Sequence, residues 1–118
     1  MNKRHVGDAY EEKAVAFLKK QGFRVVEQNF RIRQGEIDII GYHNGQLVFV
    51  EVKYRKNLKA GSPAAAVGIQ KQMQICKVAL FYLSFHGLKV ETACRYDVVA
   101  ICQEEITWFQ NAFEHIGF

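Results

Sequence analysis

The sequence predicts an α/β fold: a central mixed sheet flanked by helices, with its elements in the order α-β-β-β-α-β. Three observations carry that reading. Apolar residues recur at helical spacing over 9–20 and again over 64–86. Between those helices lie three apolar runs of strand length. The chain has 118 residues, 49% hydrophobic and 24% charged. That length supports one well-buried core with little room for a second, so 1–118 is read as a single domain.

Residues 9–20 (AYEEKAVAFLKK) form an amphipathic helix stopped by Gly22. Ala14, Val15 and Leu18 make its apolar stripe. Glu11 continues that stripe at the i, i+3, i+4, i+7 spacing, and Glu12 lies about a hundred degrees further round. Phe23 to Phe30 reads as a strand through Phe23, Val25 and Val26. Glu36–Tyr42 and Gln46–Tyr54 are two more apolar runs, joined by His43-Asn44-Gly45. Asn-Gly between such runs signals a type I′ hairpin, because both central residues need positive φ. A basic loop, Arg55–Gly61, follows. Ser62-Pro63 then reads as a cap and first-turn proline. They open a helix from about Ala64 to His86, ended by Gly87. Its first half carries a polar stripe (Gln70, Gln74, Lys77), and its second half, VALFYLSF, is apolar nearly all round and expected to be buried. Arg95–Cys102 is the next strand, and Ile106–Phe109 extends the order by one more if it pairs.

Composition sets the bounds on function. One proline and nine glycines exclude collagen-like and low-complexity classes. Sixteen Lys and Arg against twelve Asp and Glu give a net charge of +4, compatible with a nucleic-acid partner without demanding one. Cys76, Cys94 and Cys102 form an odd set with no CxxC spacing, which argues for a reducing compartment and for core thiols. The start, Met1 to Asp8, lacks an apolar stretch, and Val78–Phe85 is too short to span a bilayer. A cytoplasmic protein without a membrane role is expected. His5, His43, His86 and His115 are scattered, lack zinc-site spacing and are read as non-catalytic.

The hairpin fixes a register. With Asn44 and Gly45 as the turn, His43 faces Gln46 and every cross-strand pair sums to 89. Asp38 then faces Glu51, and Glu36 faces Lys53. Leu47, Phe49, Glu51, Lys53 and Arg55 share one face; Val48, Val50, Val52 and Tyr54 share the other, which should pack on a helix. Two opposed carboxylates repel, and a divalent cation between them supplies a reason for the arrangement. Mg²⁺ takes a few carboxylate oxygens and keeps waters. Lys53, one pleat beyond and about 7 Å along the strand, is placed to orient water or to neutralise charge at phosphorus. Asp38 and Glu51 as metal ligands with Lys53 are the parts for phosphodiester hydrolysis, and Glu11 is a third carboxylate if its helix packs beside them.

The plainer alternative is a solvated sheet face with a lysine–carboxylate pair, and for Glu11 a surface glutamate favoured by the helix dipole. Glu36 is read as a salt-bridge partner and Asp97 as a structural hydrogen-bond or ion-pair residue. Between Glu51 and Glu91 stand seven positive residues and no acidic one. Arg55, Lys56 and Lys71 of that stretch are candidate phosphate contacts, for binding by backbone and shape.

These blocks resemble a known family. Asp38 with Glu51-Val52-Lys53 resembles the Asp…(Asp/Glu)-x-Lys signature of the PD-(D/E)xK nuclease superfamily. GEIDII (35–40), FVEVKYR (49–55), GDAYEEKAVAFLKKQGF (7–23) and RYDVVAI (95–101) resemble the YraN family of small bacterial proteins, which are similar to archaeal Holliday-junction resolvases. The resemblance covers nearly the whole chain. It implies a restriction-endonuclease-like domain with Mg²⁺ or Mn²⁺ on Asp38 and Glu51, Lys53 as catalytic lysine and Glu11 as the first-helix glutamate, Glu12 being the other candidate there. The function expected is a metal-dependent endonuclease acting on DNA, including branched or structured DNA in repair or recombination. Cutting two strands needs a symmetric homodimer, since one chain carries one site. The competing expectations are a non-catalytic nucleic-acid-binding module on the same scaffold and a structural partner protein without affinity for DNA.

Overall fold

The computed structural model describes residues 3–55, 67–89 and 92–117. Helix α1 (Lys3–Lys20) is followed by strands β1 (Arg24–Ile32), β2 (Gly35–His43) and β3 (Gln46–Tyr54). Helix α2 (Ile69–Phe85) and strands β4 (Cys94–Cys102) and β5 (Glu105–Phe113) complete it. The strands form one sheet in the order β1-β2-β3-β4-β5. Every neighbouring pair is antiparallel except β3 and β4, which are parallel. A parallel pair needs a long crossover, and α2 lies within it. The expected α/β architecture holds, with β5 as the fifth strand.

Element boundaries differ where apolar periodicity is a poor guide. Helix α1 begins at Lys3, six residues before the start at Ala9 that its periodicity predicts. The Ser62-Pro63 start of the second helix lies outside the described residues. Within them the helix opens at Ile69, with Gly68 as an extended N-cap that makes no side-chain cap bond. Strand β5 runs on to Phe113 because Asn111, at φ 53°, lies in a bulge opposite Tyr96 and Val98. The polar Gln110-Asn111 pair hides that continuation from a period-two pattern.

The sheet separates two cores. On one face Ala14, Val15 and Leu18 of α1 pack with Ile39, Val48, Val50, Val99 and Ile101. On the other, Ile75, Val78, Ala79, Tyr82 and Leu83 of α2 pack with Ile40, Leu47, Phe49, Tyr96 and Val98. The even-numbered valines of β3 thus face α1, as their alternation requires. Gly41 is fixed by packing. A Cβ there would overlap the Arg24 carbonyl oxygen and the Phe23 ring, so β1 crosses β2 closely only over a glycine.

The hairpin is the one the sequence specifies. Asn44 and Gly45 have φ of 51° and 77°, the two positive values of a type I′ turn. Its rungs run from His43↔Gln46 to Ile39↔Val50, each pair summing to 89. The ladder then stops. Asp38 and Glu51 do not form the next rung, nor do Glu36 and Lys53 the one after. Glu36 instead faces Arg31 on β1 and pairs with it, Nη2 to Oε2 at 2.6 Å. Its salt-bridge role is as expected, with a different partner.

The cause is a slip in face. Residues two apart on a strand share a face, yet Ile37 packs in the α2 core and Ile39 in the α1 core. On β1 the residue that would oppose Asp38 is Asn29, with φ 56°, and that rung is absent between Gln28↔Ile39 and Phe30↔Ile37. A left-handed residue on β1 and Asp38 on β2 therefore turn over together. Asp38 leaves both ladders and its carboxylate takes the place of a main-chain acceptor: the Val52 N–H donates to Oδ2 at 2.8 Å.

Asp97 is structural, as expected. Arg95 donates to both of its oxygens, Nε to Oδ1 at 2.9 Å and Nη2 to Oδ2 at 2.8 Å. The Trp108 indole N–H donates to Oδ2 and the Asn111 backbone N–H to Oδ1. His43 joins through Nδ1, 3.0 Å from Arg95 Nη2. The carboxylate is fully buried, so these donors are what make its charge tolerable.

Candidate active site

Where β2 and β3 part, their side chains meet. Glu51 is the last buried residue of β3, on the α2 face, and its carboxyl is hydrogen-bonded to that of Asp38. Two lysines close on the same Glu51 oxygen. Lys71 Nζ from the first turn of α2 lies 3.6 Å from Oε2, and Lys53 Nζ lies 4.0 Å from it. Both lysine side chains are about a third exposed, whereas the Glu51 side chain is 7% exposed. The cluster is thus an acid pair at the bottom and two cations at the mouth.

Burial is the largest influence on Glu51, and the neighbouring Asp38 adds to it through the shared hydrogen bond and its charge. Lys71 and Lys53 oppose them. The balance raises the Glu51 carboxyl from its ordinary 4.5 to about 8. At neutral pH the isolated chain therefore keeps a proton on Glu51, donated toward Asp38. Two carboxyls held this close need something positive between them, and here a proton fills the role.

The remaining expected residues fall as follows. Glu11 sits on α1 one residue beyond Tyr10, whose ring stacks on Tyr54 at 4.4 Å. That turn of α1 therefore packs at the end of β3, and Oε1 of Glu11 is buried. Glu12 is exposed. Among the described residues no three His, Cys, Asp or Glu side chains group closely enough to hold a metal ion. The Arg55 backbone N–H donates to the Ile101 carbonyl at 2.8 Å, anchoring the chain just past the site. Lys56 lies outside the described residues.

Lys71 is drawn into the cluster itself rather than standing apart on a basic surface. A signal for this is present in the sequence. Lys71, Ile75, Val78 and Tyr82 follow the i, i+4, i+7, i+11 positions of one helix stripe, and the last three are buried. That stripe carries the Lys71 ammonium toward Glu51, 3.6 Å away.

The donor set fits a small hydrated cation. Mg²⁺ is commonly held by one or two carboxylates with waters completing its shell, so a pair suffices. Asp38 Oδ2 accepts from the Val52 N–H, which fixes the carboxyl beside Glu51.

Fold and site together define a small α/β domain with a five-stranded mixed sheet and, at the end of its central strand, a cluster of two acids and two lysines drawn from β2, β3 and α2. The chain belongs to a bacterial family described as "Uncharacterised protein family UPF0102", whose model matches residues 10–101. The match bears out the YraN resemblance. A UPF0102 protein of Lachnoclostridium phytofermentans is 46% identical over 117 residues, covering 99% of both chains. One from Colwellia psychrerythraea is 46% identical over 112 residues, covering 91% of this chain and 87% of that one. A third, from Caldicellulosiruptor saccharolyticus, is 40% identical over 119 residues, covering 96% and 100%. No helix among the described residues is long and apolar enough to cross a membrane.

Proposed function

We propose that this UPF0102 protein is a metal-dependent endonuclease that hydrolyses phosphodiester bonds of DNA, branched or structured DNA included. Asp38 and Glu51 are its ligands for Mg²⁺ or Mn²⁺, and Lys53 is its catalytic lysine. The supporting observation is the hydrogen-bonded carboxyl pair with two ammonium groups on one Glu51 oxygen. Two acids held together in a buried site destabilise the fold unless a proton or a cation screens them.

A bound divalent ion would polarise a phosphoryl oxygen and acidify a coordinated water. Lys53, partly exposed at the mouth, donates hydrogen bonds to the attacking water or to the non-bridging oxygens as charge grows there. Lys71 holds the Glu51 carboxylate in position from α2 and keeps its negative charge favourable. Arg55 and Lys56 follow on the same chain segment and contact flanking phosphates, which makes binding salt-dependent and indifferent to base sequence. Glu11, at the end of β3, assists from the α1 side.

The test is cleavage of supercoiled, flapped and four-way-junction DNA in Mn²⁺. Wild type should cut at least one of them. Asp38→Asn and Lys53→Ala should lose at least ~100-fold in rate with native-like circular dichroism. If no substrate is cut and calorimetry finds no Mn²⁺ bound by wild type, the proposal is wrong. Salt-sensitive DNA binding without cleavage, equal in wild type and Asp38→Asn, would assign the chain to the non-catalytic binding class instead.

A further inference from the structure

One exposed aromatic ring stands close to the acid pair. Among the described residues six large apolar or aromatic side chains are exposed, and five of them lie on the outer face of α2 or on the edge strand β1. The sixth is Tyr54, 45% exposed and next to Lys53. It belongs to neither core. Tyr10 packs against the α1-side core, and Tyr54 lies outside it, stacked on the Tyr10 ring with centroids 4.4 Å apart and planes at 26°. No other ring among the described residues stacks on Tyr54, and its exposure leaves the outer face to solvent.

Cations surround the pair. Lys13 Nζ lies 5.8 Å from the Tyr10 centroid, and Lys53 and Arg55 flank Tyr54 along the chain. Glu12 is exposed but sits about 200° round α1 from Tyr10, on the far side of the helix. An aromatic face open to water among positive side chains is what holds the bases of a single strand.

We propose that Tyr54, backed by Tyr10, is a stacking platform for an unpaired base, so that the preferred substrate is DNA with a single-stranded arm or gap. The inference rests on the proposed nuclease reading for the place of the phosphate, and names the DNA that the site takes. Position carries the argument. Tyr54 stands three residues beyond Glu51, about 10 Å along β3. That is roughly three steps of a stacked strand at 3.4 Å each. The acid pair and Lys53 lie on the α2 face, whereas Tyr54 and Tyr10 meet on the α1 face. Strand β3 ends at Tyr54, so the two faces share that rim. A strand with its phosphate at Asp38 and Glu51 must turn over the rim to rest a base on Tyr54. Duplex DNA, with a persistence length of about 150 base pairs, does not turn so sharply within three steps. An unpaired strand does. Stacking uses the face that every base has, so the platform is indifferent to sequence.

Fluorescence anisotropy in EDTA, with a splayed-arm DNA and a blunt duplex of equal length, tests this without cleavage. Wild type should bind the splayed arm at least about tenfold tighter, within the range that one stacked base supplies. Tyr54→Ala should lower that ratio by about fivefold or more, and Tyr54→Phe should keep it. In Tyr54→Trp the added indole emission should be quenched by the splayed arm and not by the duplex. A purely structural tyrosine would give no such difference. Equal affinity of wild type for the two DNAs would overturn the proposal. So would a ratio unchanged in Tyr54→Ala, or an unquenched Tyr54→Trp. Those results leave the nuclease reading standing wherever Mn²⁺ still supports cleavage. A Tyr54-dependent preference in a protein that binds no Mn²⁺ and cuts nothing sinks the nuclease reading alone. If Tyr54→Ala fails to fold by circular dichroism, the Tyr54→Trp quench decides.

Discussion

Raising the pH should weaken the fold of this protein, and Glu51 sets the window. In the native chain its carboxyl titrates near 8, against an ordinary 4.5. Between those values the native state holds a proton that the unfolded chain releases. Stability therefore falls with rising pH across that interval, and the loss is complete above about 8. At 1.36 kcal/mol per pH unit it accumulates to at most about 5 kcal/mol. Because Glu51 is buried, solvent does not screen this away. The assay is urea unfolding from pH 5 to 9, followed by the fluorescence of Trp108, the one tryptophan in the chain. With an m-value of about 1–3 kcal/mol/M, a loss of ~3 kcal/mol moves the midpoint by roughly 1–3 M. Glu51→Gln keeps the neutral shape and removes the proton, so the wild-type slope should disappear in that variant. Mn²⁺ at pH 8 should restore the wild-type midpoint and leave Glu51→Gln less affected. The reasoning fails if both proteins show the same pH slope, or if wild type gains stability relative to Glu51→Gln as pH rises.

Four further outcomes follow from the geometry. Lys71→Ala removes a charge that lowers the Glu51 pKa, so the pH at which stability levels off should move upward in the same urea series. Asp97→Ala strands the buried Arg95 guanidinium and the Trp108 and Asn111 donors, and should cost about 3–5 kcal/mol by thermal unfolding. Glu36→Ala removes a pair whose arginine is 65% exposed and should cost no more than about 1 kcal/mol in the same assay. Gly41→Ala drives a methyl into the Arg24 carbonyl and the Phe23 ring, and should cost at least about 2 kcal/mol, read as a drop in melting temperature.

Much of this was legible residue by residue. The Asn44-Gly45 turn and its alternation specified the hairpin rungs as far as Ile39↔Val50, because a two-residue type I′ turn admits one register. It could not show where the ladder ends. That depends on Asn29, fifteen residues before the turn, adopting a positive φ on a neighbouring strand. No period-two pattern encodes such a reversal. The carboxyl pair is legible all the same, since Asp38 and Glu51 follow directly on the last rung of the hairpin and meet through their side chains. In the sequence Lys71 reads as a candidate phosphate contact within the acid-free basic stretch, although its own helix stripe leads into the core. Asp97 was readable as structural from Arg95 two positions away, which points to the same side of its strand.

The parallel pairing of β3 with β4 has a consequence for how the protein is made. The two strands join residues 47 positions apart, as in Leu47↔Cys94, so β3 emerges from the ribosome long before its second neighbour. At ordinary rates of synthesis that interval is ~2–10 s. Throughout it the hairpin presents a bare edge, and the strand bearing Glu51 and Lys53 has nothing on one side. The Arg95–Asp97 pair arrives on β4 itself, and Trp108 and Asn111 follow on β5. A truncated nascent chain thus carries the site residues without the strands that hold them in place, and the cluster takes form only once nearly the whole chain has been translated.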